Sequence, residues 1–433
     1  MTASPAALRG RTVFTLLAGR GTFRLCVQVM SVALVAVWGA DAFGRYTNAL
    51  GLCAWLLFVT TAPEKAALKV LPRARLLVAP LAGLVLRIAI APVALLGIAL
   101  VAGLLVAPGS VVVWYLAAGT WTAGTGLLMT ISGLHRLRGK PVLDTVAFSL
   151  ATVVVLAATT ATWLIRWSPE HHLLVLVGGI TVVICCAALA LPAQWRRPAK
   201  TDRRLLPALG RSVWLLGMSD LMEALAGASV YAMFSLTGHT ADSGPFYLAV
   251  LGSGVVCQFL SYRLKLVQPR TSASQRGTSG RAAQERAMRM LAVAERFGIG
   301  FAVVIACCVA VPEVRRGLTG QLALPALIGL TCVEVCLWIL VYYPAFLLEN
   351  TNSKVLSVTS SASVAGLIGT TVSAIVLVPT LGAFGGMAAA MLGFAVKAVA
   401  IRRLYRRQQP EFDAGGVRTE GKTHVHTGHQ PTP

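Results

Sequence analysis

The 433-residue chain carries 38 Lys and Arg against 16 Asp and Glu, a net charge of +22, yet only 12% of its residues are charged and 56% are hydrophobic. A basic nucleic-acid-binding domain of this size spreads its Lys and Arg over a polar surface. Here the basic residues cluster in gaps between long apolar runs, which excludes that class and marks a polytopic membrane protein.

A helix needs about 20 mostly apolar residues to cross a hydrocarbon core of roughly 30 Å. Twelve stretches qualify. The first six are Thr22–Ala40, Tyr46–Ala62, Leu76–Val106, Val111–Leu134, Val142–Ile165 and Leu173–Leu191. The second six are Val213–Leu236, Phe246–Leu266, Met288–Val311, Leu322–Leu348, Val355–Val378 and Ala383–Val399. Lipid offers the backbone no hydrogen-bond partner, so the expected fold is an all-α integral membrane protein of 12 transmembrane helices.

Placing the N-terminus inside puts 31 of the 38 basic residues in cytoplasmic segments. Only Arg45, Arg166, Arg315 and Arg316 fall in outside gaps, and Arg87, Arg296 and Lys397 fall within helices. The positive-inside rule then predicts both termini in the cytoplasm. The basic N-terminus lacks a small-residue cleavage site before a short apolar core, so the first helix is expected to be retained. No cysteine pair stands outside the apolar stretches to form a disulfide framework, and none has zinc-ligand spacing with histidines.

The two halves repeat. Ala40-Asp41 and Gly44-Arg45-Tyr46 follow the first helix; Ala241-Asp242 and Gly244-Pro245-Phe246 follow the seventh, about 200 residues later. Lys65 and Lys265 keep that offset. Beyond the polar stretch Pro269–Arg286 the offset becomes 214, matching Lys140 with Lys354, Thr145 with Thr359, Ser149 with Ser363 and Thr159 with Ser373. The expected domains are therefore a six-helix lobe over 1–200, a second six-helix lobe over 201–404 and a disordered cytoplasmic tail over 405–433. Six is even, so the lobes are parallel repeats related by an axis along the membrane normal. Pro269–Arg286 reads as a cytoplasmic loop.

Charged side chains at bilayer depth are costly and face a cavity or a partner. Arg87 in the third helix and Glu334 in the tenth fall near the midplane. Asp220 and Glu223 lie three apart on the seventh and are expected to share a face. Arg20 and Arg24 flank the inner mouth of the first, and Glu295 and Arg296 lie in the inner part of the ninth. One reading puts Arg87, Arg24 and Arg20 along the path of an anionic head group, because the planar guanidinium donates to two oxygens at once. In the same reading Asp220, Glu223 and Glu334 bind a proton or Na⁺. The other reading is internal ion pairing, or snorkelling to the interface. Thr145, Ser149, Thr152 and Thr159 run down the fifth helix and either line a wet cavity or permit close packing. Pro80 and Pro92 interrupt the third helix as a hinge or a kink.

The tail histidines His424, His426 and His429 have no neighbouring Cys or carboxylate, so no metal site is expected. No phosphate-binding loop encodes an ATPase. No nucleophile, base and orienter form a catalytic set, so the expectation is a non-enzyme without cofactor.

Three motifs carry a family resemblance: Gly44-Arg45-Tyr46-Thr47-Asn48-Ala49, Leu348-Glu349-Asn350 with Lys354, and Val378-Pro379-Thr380-Leu381-Gly382-Ala383-Phe384-Gly385-Gly386-Met387-Ala388. The chain resembles, along its whole length, the polysaccharide-exporter branch of the multidrug/oligosaccharidyl-lipid/polysaccharide flippase superfamily. Gly385-Gly386-Met387-Ala388 departs slightly from that branch's P-x-x-G-x-x-G-A-A pattern. The resemblance implies two lobes around a central cavity, alternating access, and a polyprenyl-diphosphate-linked oligosaccharide as substrate in a bacterial inner membrane. An ion-coupled drug exporter of the same superfamily is the alternative. The partners expected are the lipid-linked glycan, membrane lipid and H⁺ or Na⁺, with no nucleic acid, and a monomer suffices. The short outside gaps argue against a membrane glycosyltransferase, and a non-transporting scaffold stays open.

Overall fold

The computed structural model describes residues 10–71, 77–197, 202–274, 278–320, 322–351 and 355–420. Arg9, Arg73, Arg75, Lys200, Arg276, Lys354, Lys422 and the three tail histidines fall outside these. The described residues form helices and no strand: α1 (Gly10–Cys53), α2 (Trp55–Val70), α3 (Val78–Val106), α4 (Val111–Leu137), α5 (Pro141–Ile165), α6 (Pro169–Leu189) and the short α7 (Ala193–Arg196). Then come α8 (Asp202–Leu236), a 3₁₀ turn (Thr240–Asp242), α9 (Ser243–Ser274), α10 (Thr278–Ala310), α11 (Pro312–Thr319), α12 (Ala323–Thr351) and α13 (Val355–Glu420).

Ten of these helical stretches are long and apolar enough to cross a membrane, and the chain is a multi-pass membrane protein. Two stretches, Gly19–Leu68 and Val355–Gln408, run to 50 and 54 residues. At about 1.5 Å per residue each would exceed twice the hydrocarbon thickness if straight. Each is broken by a glycine that leaves helical geometry, Gly39 (φ 74, ψ 175) and Gly382 (φ 56, ψ −132). Side chains disfavour both conformations, so glycine is what lets one long helix become two crossing segments. Elsewhere the stops are local: Ser110 and Ser168 cap α4 and α6, and Arg166 in left-handed geometry ends α5.

The buried side chains fall into two cores. One runs from Phe23 to Leu209 and draws on α1 to α6, with Trp195 of α7. The other runs from Val230 to Tyr405 and draws on α8, α9, α10, α12 and α13. Helix α8 serves both, because Leu205, Val213 and Leu216 pack on the first core and Val230, Tyr231 and Phe234 belong to the second. The bundles meet along two seams, α1 against α9 and α2 against α8.

Three expectations change. Most of Pro269–Arg286 is helical, with α9 extending to Ser274 and α10 beginning at Thr278; its Ala, Arg, Gln and Glu residues support polar helix extensions rather than a loop. Pro80 interrupts nothing: it lies in the first turn of α3, where a missing N–H costs no helical bond, and only Pro92 is internal. The last helix continues to Glu420, so it overlaps the stretch expected as a tail, whose residues 421–433 lie outside the described part.

Candidate functional site

Among the described residues, charged side chains inside the two bundles gather at three sites besides the Glu295–Arg402 pair. In the first bundle α1, α2, α4 and α5 each contribute one charge at the end that carries the basic gaps. Arg20 reaches Asp144 at 3.2 Å and Glu64 at 3.4 Å. Arg136 bonds Glu64, and its Nε lies 3.1 Å from Asp144. Asp144 is fully buried and Glu64 nearly so. Two guanidiniums and two carboxylates balance, and the Arg20 guanidinium also sits 4.9 Å over the Phe148 ring. Arg24, one turn further along α1, is half-buried and has no hydrogen bond or ion pair among the described residues.

The second site lies on the α2–α8 seam. Lys65 of the first bundle pairs with Asp220 of the second, and Tyr342 and Glu349 of α12 lie near the same ammonium. Beyond it, α1 is joined to α8 and α9 by side-chain hydrogen bonds. Asn48 Nδ2 donates to the Tyr231 carbonyl at 2.9 Å, and Ser235 Oγ donates to Asn48 Oδ1 at 2.8 Å. Ser243 Oγ donates to the Gly44 carbonyl at 2.8 Å. A Cβ on Gly44 would come within 2.5 Å of the Thr240 carbonyl oxygen, so this joint needs glycine.

The third site is a cavity of about 150 Å³ inside the second bundle. Its walls include Glu223 of α8, Glu334 of α12, and Ser363, Thr370 and Lys397 of α13. Tyr231, Phe246 and Phe394 supply an aromatic lining. Lys397 is 4% exposed; its ammonium pairs with Glu223 and lies 3.4 Å from Ser219 Oγ. Glu334 is 8% exposed, and its Oε2 has no hydrogen-bond partner among the described residues. A smaller cavity of about 30 Å³ in the first bundle is bounded by Ser31, Tyr46, Thr159, His172 and Tyr247.

By sequence, no family model and no curated protein matches the chain. Solved structures do. An inward-facing multidrug resistance MATE family transporter of the MOP superfamily superposes with TM-score 0.53 at 13% identity, over 94% of this chain and 100% of that one. A MATE in the straight conformation gives 0.57 at 13%, over 93% and 96%. The Vibrio cholerae MATE transporter VcmN in the bent form gives 0.51 at 15%, over 92% and 96%. The fold is that of the MATE transporters.

Within this MATE fold the predicted residues separate. Arg20 belongs to the balanced network, and Arg24 stands beside it. Arg87 stands in the first half of α3 (Val78–Val106). Its Nε donates to the Gly83 carbonyl at 3.1 Å, and Gly83 itself packs against the Trp195 carbonyl of the linker. Helix α3 packs on α2, α4, α7 and α8. Asp220 and Glu223 do not share a target. Three residues at 100° each leave them about 60° apart around α8, enough to turn one into the seam and the other into the bundle. Glu334 joins Glu223 at the cavity. Glu295 pairs with Arg402. Thr145 packs against Gly19, whose Cβ would lie 2.9 Å from its methyl, whereas Thr159 lines the smaller cavity.

Sequence reasoning missed Glu64, Asp144, Lys65 and Arg136 as partners, and it saw Lys397 only as a cation in a helix. The usable signal was scarcity: with 16 acidic residues in 433, a carboxylate inside an apolar run has either a partner or a cavity to find. The motif residues found their physical reasons. Gly44 and Asn48 build the seam, and Gly382 breaks the last helix.

Proposed function

We propose that the protein is an alternating-access transporter of the bacterial cell membrane, with two parallel six-helix lobes and both termini in the cytoplasm, performing no covalent chemistry. The backbone supports the duplication. Gly39 and Gly238 both take positive φ (74 and 76) after the first helix of each half, and Arg166 and Gly382 (59 and 56) do so before each last segment. The offsets between them follow the sequence repeat. The basic gaps support the orientation.

The reading the geometry favours is ion-coupled export of a small molecule, as in the MATE-like alternative. The observation that carries it is Glu334, a buried carboxylate with no cation paired to it among the described residues, lining a cavity whose wall also holds a closed Lys397–Glu223 pair. A lone buried carboxylate is costly when charged and becomes neutral by taking a cation. Binding and release of that cation on opposite sides of the membrane is what couples two lobes to a gradient. Cells expressing the protein should extrude a fluorescent organic-cation dye, and Glu334→Gln should abolish extrusion at equal expression. Dye extrusion by the Gln variant at the wild-type rate would defeat this reading.

Arg24 favours a second reading, the flipping of a lipid-linked glycan. A guanidinium unpaired among the described residues and beside a neutral network fits a diphosphate. Deletion in the source organism separates the two. Accumulation of polyprenyl-linked oligosaccharide on the cytoplasmic face supports flipping, and drug sensitivity with normal surface glycan supports export.

A further inference from the structure

We propose that the groove between α10 and α13, at its basic end, binds an anionic phospholipid whose phosphate is held between Arg296 and Arg403. This surface lies outside both cavities, and a lipid there is independent of what the protein transports.

Arg296 stands where orientation cannot explain it. Basic gaps orient a membrane protein, but Arg296 lies inside the apolar run Met288–Val311. Its neighbour Glu295 turns inward and pairs with Arg402 of α13. One residue turns a helix by about 100°, and Arg296 faces outward. Around it there are Val293 (52% exposed), Phe297 and Ile299 (61% exposed), a surface that acyl chains cover. Arg296 has no hydrogen bond or ion pair among the described residues. The nearest exposed carboxylate along α10 on its N-terminal side is Glu285, about 16 Å back along the axis. A guanidinium facing lipid is costly, so it needs an anion that the lipid side can supply.

Helix α13 brings a second set of charges to the same groove. The Glu295–Arg402 pair and the close approach of Gly298 to Ala395 set the two helices antiparallel. In that register Arg403 comes within a turn of Arg296 in height, and Arg407 comes level with Arg289. Arg289 lies two turns before Arg296, and Arg403 lies two turns after the exposed Val396, so each pair shares the outward face of its helix. All four arginines are exposed, whereas Leu291, Ala294, Ile401 and Tyr405 on the inward faces are buried.

The ligand follows from the directions of these side chains. Helical side chains lean toward the N-terminus, which for α10 is the basic end. Arg296 therefore reaches toward the depth of lipid phosphates, and its planar fork suits two phosphate oxygens. Acyl chains run from there along Ile299 and Val303 of α10 and Val396 of α13, all exposed. Arg289 and Arg407 stand one to two turns further out, beside the substituent on the phosphate. A choline or ethanolamine cation there would meet two more cations, whereas a glycerol or a second phosphate is not repelled. The groove therefore selects a head group of net negative charge. In the orientation proposed above, the leaflet is the cytoplasmic one.

The test strips the purified full chain of lipid in a nonionic detergent and titrates it with dioleoyl phosphatidylglycerol or dioleoyl phosphatidylcholine. Native mass spectrometry counts bound lipid, and Tm is followed in parallel. Wild type should bind its first phosphatidylglycerol about tenfold more tightly than phosphatidylcholine and gain Tm with it. The double variant Arg296→Gln with Arg403→Gln should lose that preference while melting like wild type in lipid-free detergent. Arg315→Gln with Arg316→Gln removes two exposed arginines beyond the opposite end of α10 and should keep it. Retention of the preference without Arg296 and Arg403 would overturn the site. Equal loss in both double variants would overturn it too, by making the preference one of net charge. Inorganic phosphate raising Tm as much as the lipid does would also overturn it, since the acyl chains would then add nothing. If the double variant does not fold, Arg296→Gln alone carries the same comparison. Occupancy is read without transport, so failure of the exporter reading leaves this site standing, and loss of the site leaves the exporter reading standing.

Discussion

The two bundles use buried charge for opposite ends. In the first, Arg20, Arg136, Glu64 and Asp144 come from four helices and neutralise each other. In the second, Lys397 answers Glu223, and Glu334 is left over. The chemistry of the side chains is the same in both. The count differs, and a balanced set has no reason to exchange an ion whereas a set short by one cation does. Similar helices can therefore give a staple in one half and a titratable site in the other.

The comparison breaks most sharply at Asp144. Removing one partner from a buried network strands a charge, which costs about 3–5 kcal/mol. Asp144→Ala should therefore lower Tm and yield, as measured by thermal unfolding in detergent. Glu334→Gln should do the reverse of what its burial suggests, keeping or raising Tm while ending transport, because the neutral amide removes an unmet charge. If Asp144→Ala unfolds like wild type, the first network is not a staple and the contrast fails. Replacing all four network residues together with apolar side chains of similar volume should restore much of the stability, since a buried ion set contributes little over a well-packed apolar one.

A smaller effect is expected at the seam. Lys65 and Asp220 are each a little over one-fifth exposed, so the pair is worth about 1 kcal/mol or less. Its weight is on the equilibrium between states rather than on folding, because it joins one bundle to the other. Lys65→Ala should widen the separation of the α2 and α8 ends, read by pulsed EPR between spin labels, with little change in Tm. The charge swap Lys65→Asp with Asp220→Lys should restore the wild-type distance, and a swap that behaves like Lys65→Ala would rule out the pair as a latch.

Sequence alone made the helices and the seam motif legible, because both are written in local signals: apolar length, basic gaps, and glycine at Gly44 and Gly382. The partners were not. Asp144 sits two residues past Val142 at the start of a helix, where an acid near an N-terminus needs no special explanation. Glu64 and Lys65 stand at the basic end of α2 and read as interface residues. Only the crossing of α1, α2, α4 and α5 brings Glu64 and Asp144 to the same two arginines. Counting residues from an apolar boundary likewise gives a depth but not the direction of a side chain; in the structure Arg87 Nε donates to the Gly83 carbonyl of its own helix. Lys397 was visible as an oddity, and what could not be read was that Gly366, Ser219 and Glu223 surround it.

The smallest expected effect, and the one that most refines the contrast, is at Arg24. It has no ion pair to lose among the described residues, so Arg24→Ala should change stability by no more than about 0.5 kcal/mol. Its neighbour Arg20, one turn away, should cost several times that on the same substitution, because Glu64 and Asp144 would each lose a partner. A functional effect of Arg24→Ala without a stability effect would then have to come through the substrate. For a lipid diphosphate the loss should be large and salt-sensitive, as for a charge-assisted contact to phosphate oxygens. For an organic cation it should be a gain, since a repelling charge near the path is removed. The sign of the change in transport at constant Tm therefore reads the charge of the substrate directly, before its identity is known.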